Sequence, residues 1–169
     1  MSDTRAPVAD EYLPLYAFVS AIAARFGLTN VIWAHQTAAA PPLPYAVISV
    51  NHEKQVGMAD LGVTQNGVSA VRINVTLELC VDVFGKEAFG LASRIRLASN
   101  TPSALLALHG WSVALRHPVV DVSALIEKTV TQQRARVVFL MQGGLQVADD
   151  MGYIETVTTD CCGAVVEAP

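Results

Sequence analysis

Charge is scarce in this chain. Asp, Glu, Lys and Arg supply only 15% of its 169 residues, against about 25% in soluble domains generally. With 52% hydrophobic residues, the composition excludes disorder as the main state, because disordered chains are charge-rich and apolar-poor. So little charge implies a surface covered in part by copies of the chain or by a partner. Basic residues are the scarcer kind, 11 Lys and Arg against 15 Asp and Glu, for a net charge of −4. Neither a DNA-reading face nor a polybasic membrane anchor can be built from them, since both need clustered cations to meet phosphates.

Long apolar runs are also missing. Residues 26–52 and 97–115 carry no charged side chain, but the first holds Asn30, Gln36, Pro41, Pro42 and Pro44, and the second Asn100, Pro102 and Gly110. Neither reads as a continuous membrane-crossing helix. The opening MSDTRAPVADEY is too polar and acidic for a secretory signal, which predicts a cytoplasmic setting during synthesis. Cysteine is limited to Cys80, Cys161 and Cys162. An odd count without framework spacing fits a reducing compartment, and the adjacent pair, with no second C-x-x-C and no nearby His pair for zinc, reads as free thiols on a loose tail.

Catalytic signatures are the third absence. The four histidines, His35, His52, His109 and His117, lie in no recognisable motif. There is no G-x-S-x-G, H-E-x-x-H, Walker A or G-x-G-x-x-G. His52, Glu53 and Asp60 could gather around a metal, but their spacing is not diagnostic. Asp149-Asp150 reads as a solvated turn, and His109 as a complement to a helix C-terminus. Asn74-Val75-Thr76 matches a glycosylation sequon but falls inside a strand. No catalytic residue, metal ligand or cofactor site is assigned.

What is present is strong periodicity. The length suits one domain, divided as a flexible 1–10, a body over 11–157 and a loose tail over 158–169. Leu15, Phe18, Val19, Ile22 and Phe26 predict a helix over 11–26, with Pro14 in its first turn and Gly27 as its left-handed cap. Short strands are expected at 31–33 and 45–50, with the rings of Trp33 and Tyr45 holding the PPLP segment between them. Over 71–83 every odd residue is apolar and most even ones are polar, a half-buried strand of roughly 44 Å that must bend or project. Helices follow at 86–99 and after Thr101-Pro102, the second closed by Gly110. Strands are expected at 111–116, 131–142 and 152–157, with a turn and a short helical piece at 121–126, and with Gly143-Gly144 breaking the long strand. Strands segregated from helices give an α+β fold, a mixed, mostly antiparallel sheet with helices on one face.

Two groups of residues stand out as candidates. Arg72, Glu78, Asp82, Arg134 and Arg136 occupy the polar faces of the two long strands. They suit either ordinary cross-strand pairing or a charged subunit interface covering an open sheet edge. Residues 53–69, with Gly57, Asp60, Gly62, Asn66 and Gly67, form a long connection that reads as a mobile arm or as a hairpin.

Six segments in order, VIWAHQ (31–36), PPLPYAVISV (41–50), LELCVDVFGKEA (77–88), VVDVSAL (119–125), QQRARVVFLM (132–141) and DDMGYIETV (149–157), resemble the neck or tail-terminator proteins of long-tailed bacteriophages over roughly residues 10–157. The resemblance implies a structural virion protein without catalytic residues or cofactor. It implies a homo-oligomeric ring, typically a hexamer, at the head–tail junction. The ring would end the tail tube, meet tail-tube or sheath and head-connector proteins, and let DNA pass its lumen without specific binding. The 53–69 arm would be ordered by a neighbouring ring. Three other readings stay open at this point: a tail-tube or baseplate component polymerising along an axis, a small α+β ligand-binding dimer, and an enzyme without a known motif.

Overall fold

The computed structural model describes residues 12–34, 39–63, 69–126 and 130–149. Helix α1 spans Leu13–Ala24 and buries Leu15, Phe18, Val19, Ile22 and Ala23. It ends as the spacing predicts. Gly27 takes φ +75°, and the amides of Gly27 and Leu28 return to the carbonyls of Ala24 and Ala23, the paired bonds of a Schellman cap.

Among the described residues the main sheet has six strands. β1 (Val31–Trp33) runs parallel to β2 (Tyr45–Val63), which runs antiparallel to β3 (Ser69–Phe84). After α2 (Ala88–Ala98) and α3 (Pro102–Leu106) come β4 (Ser112–Arg116) and β5 (Val120–Asp121). Both pair with the outer edge of β8 (Arg134–Asp149), whose other edge joins β3. A separate two-stranded ribbon pairs β6 (Ala124–Ile126) with β7 (Val130–Gln132). The architecture is the α+β one expected, a mostly antiparallel sheet with three helices.

Period-2 alternation sorts the two faces. Leu77, Leu79, Val81 and Val83 of β3 and Ala135, Val137, Phe139 and Met141 of β8 are fully buried with Ala46 and Ile48 of β2 in one core. The helices supply the other half. Phe18 of α1 meets Phe139 edge-on at 5.8 Å, and α2 adds Ala88, Ala92 and Ile95, whose mostly small side chains favour close approach. The rings flanking the proline segment stack on other aromatics, and the segment itself meets the turn after β3. Tyr45 stacks on Phe84 at 4.8 Å, Trp33 on Tyr16 at 6.1 Å, and Pro44, after a cis peptide bond, lies against Gly85.

Two expectations are corrected, and one open alternative takes its second form. Of the two readings of 53–69, the described residues show the hairpin: β2 runs on through 53–63 and pairs with β3. Register shifts between Asn51 and Lys54 and between Val56 and Asp60, with Gly57 at φ +80°, break the alternation and so hide the strand. Gly143-Gly144 does not break β8, which continues to Asp149 in unbroken register with β3. Residues 121–126 are extended, not helical. The Asp121 carboxylate accepts the Ser123 amide and hydroxyl at 2.9 and 2.6 Å, an Asx turn between short strands. Thr101 stands at the N-cap position of α3 without a side-chain cap bond, because its hydroxyl donates back to the Ala98 carbonyl at 2.8 Å. The strand expected at 152–157, and Cys161 and Cys162, lie outside the described residues.

Candidate functional site

Beyond the helices the sheet narrows to β2, β3 and β8. Residues 51–60 of β2 are all exposed, and burial on β3 fades from Val75 through Ile73 to Val71. This three-stranded extension is the arm. Gly57, Asp60 and Gly62 lie on β2 within it, and Asn66 and Gly67 lie outside the described residues. Along the arm β2 has no strand on its outer edge among the described residues, since β1 covers only Ala46–Ile48. Its bulges blunt that edge against promiscuous strand pairing.

The five charged candidates separate into two groups. Asp82 is 5% exposed and lies opposite Arg136 in the β3–β8 ladder. Its carboxylate accepts Arg136 Nε at 2.8 Å and Nη2 at 2.9 Å, and Arg134 Nη2 at 2.8 Å. Arg134 also lies over the Phe84 ring at 5.0 Å, a cation–π contact. Burial alone would raise the Asp82 carboxyl. The hydrogen bonds and charges of Arg136 and Arg134 outweigh it and hold the group below its ordinary value. The same bond raises Arg136. Beside them, burial pushes the Cys80 thiol up, and Asn51 Nδ2 donates to its sulfur. Cross-strand pairing within one chain therefore accounts for Asp82, Arg134 and Arg136.

Arg72 and Glu78 are different. Both sit on the helix-free face of β3, and among the described residues neither has a hydrogen-bonding or ion-pair partner. Asp60 stands opposite Arg72 in the ladder, yet the guanidinium turns the other way and lies on Gly144, where a Cβ would stand 2.9 Å from Nε. Gly143 serves a second close approach. Its missing Cβ would stand 2.4 Å from the Trp111 ring. With both side chains absent, the Gly143-Gly144 backbone forms part of a cleft of about 330 Å³ bordered by Arg72, Asn74, Thr76, Ser112 and Gln142.

His35 lies outside the described residues, and the other three histidines gather nothing among them. His52 and His109 take positive φ in a bulge and a turn, and among the described residues no three His, Cys, Asp or Glu side chains come close enough to hold a metal. His52, Glu53 and Asp60 are thus not brought together. Instead, the Tyr12 hydroxyl donates to Glu53, tying the start of α1 to the base of the arm, a contact across 41 residues with no local signal. Sequence reasoning also missed the apolar outer surface of α2 and α3, where Phe89, Leu97 and Leu106 are exposed. The helical spacing that placed Ala92 and Ile95 inward already implied it.

Among the described residues no helix is long and apolar enough to cross a membrane. A family model described as phage neck terminator protein matches residues 13–163, most of the chain and a little beyond the limit of 157 expected for the body. A search of curated proteins returns no match.

Proposed function

This chain belongs to the phage neck terminator protein family, and from that premise we propose that it acts by assembly, closing into a ring at the head–tail junction. The ring would end the tail tube, join it to the head connector and leave a lumen for DNA. The observation that carries this reading is the three-stranded arm. It is too long for the body it leaves, exposed along β2, and stiffened by continuous β3–β8 pairing, so it suits contact with a neighbouring subunit. The net negative charge suits a lumen that repels DNA instead of retaining it. No step of this work needs catalysis, a metal or a cofactor.

Native mass spectrometry over a concentration series tests the reading. A closed ring, sixfold in the simplest case, is the expected result. A strict dimer at every concentration would overturn it in favour of a ligand-binding protein. Growth into open polymers would favour a tail-tube component.

A further inference from the structure

A ring needs two different patches on each copy, one for each neighbour, because a contact that joins a patch to itself stops at a pair. The helix-free face of β3 offers two such patches. Arg72 lies at the arm end and Glu78 six residues nearer the body, about 20 Å away along an extended strand. Each lacks a partner among the described residues, while the other charges of the proposed interface, Asp82, Arg134 and Arg136, satisfy one another.

We propose that Arg72 of one copy receives the carboxylate of Glu78 from the next, in the cleft over Gly143-Gly144. This rests on the assembly reading above and names the pair that carries it. The cleft is built for a carboxylate. The guanidinium occupies the space that a Gly144 side chain would fill, and a fork seated before binding loses less entropy on pairing. Asn74 and Gln142 border it and can donate further hydrogen bonds. The volume of about 330 Å³ admits a glutamate side chain. Opposite charge selects the register of docking as well as strengthening it.

Reciprocal charge reversal is the test, read by native mass spectrometry beside thermal melts of each variant. Arg72→Glu and Glu78→Arg should each raise the concentration needed for assembly about tenfold or more, because like charges then meet. Arg72→Glu/Glu78→Arg in one chain should bring it back to within about threefold of wild type, the signature of a direct pair. Gly144→Ala changes no charge but lifts the guanidinium off its seat, and should weaken assembly with Arg72 intact. Melting temperatures should stay near wild type throughout, since neither charge is bonded among the described residues. A wild-type ring that ignores both single reversals, or a double reversal that rescues nothing, overturns the pairing and leaves the ring reading standing. A wild-type chain that stays monomeric at all concentrations overturns both.

Discussion

Asp82 and Arg136 face each other across the β3–β8 ladder, and both carboxylate oxygens of Asp82 are taken up by arginine nitrogens at 2.8 to 2.9 Å. The carboxyl is held below the ordinary value of 3.8, so the folded state binds its proton less readily than the unfolded state does. The resulting stabilisation is complete above pH 3.8 and is lost as pH falls through the lower folded value. Scanning calorimetry from pH 6 down to about 2.5 should show a wild-type melting temperature that drops below pH 3.8 more steeply than that of Asp82→Asn. Parallel curves would mean that the pair does not contribute.

Reversing Arg136 to Glu should damage folding before assembly. Removing one partner of a buried pair costs about 3–5 kcal/mol. With Arg134 and Arg136 34% and 38% exposed, the lower end, about 3 kcal/mol, is expected. Of the two readings open for these arginines, pairing within the chain predicts this outcome. Urea unfolding of the isolated chain measures it. An unchanged midpoint with lost assembly would restore the interface role.

Gly143→Ala should cost about 1–3 kcal/mol by overpacking. The new methyl would stand 2.4 to 2.9 Å from three Trp111 ring carbons, and that ring is buried and cannot swing aside freely. Denaturant melts should show partial recovery in Gly143→Ala/Trp111→Phe, where the ring is smaller. A neutral single variant would mean that the strand shifts to make room.

Gly57→Ala probes the arm. Nothing lies within 4 Å of a Cβ there, so the cost comes only from φ +80° and should be about 1 kcal/mol. Amide hydrogen exchange should speed up around residues 54–60 while the global melt barely moves. If the whole protein melts earlier by a comparable amount, the arm unfolds together with the body.

The elements legible in the sequence were those whose pattern is local and unbroken. Leu15, Phe18, Val19 and Ile22 announced α1, and the odd-numbered residues of β3 announced both the strand and its buried face. What stayed hidden depended on partners distant in sequence. Gly143-Gly144 looks like a strand terminator until Trp111 and Arg72 are seen to need the space. Residues 53–63 look like a loop because bulges interrupt their alternation, and a period-2 search has no way to count a surplus residue. The charged candidates were found as a set. Their division into a closed trio and an unpaired couple follows from register, because β8 places Arg136 opposite Asp82 but Leu140 opposite Glu78.

The two strands of the long hairpin are unequal. β2 has 19 residues and β3 has 16, although they are paired from end to end, and the three extra residues all fall at the two register shifts. β8 matches β3 residue for residue with none to spare. A ribbon whose one margin is longer than the other cannot lie flat, so the surplus must be taken up as twist and bend. The shape that the arm presents to whatever it touches is therefore set by counting, through the three surplus residues that β2 carries at its two register shifts.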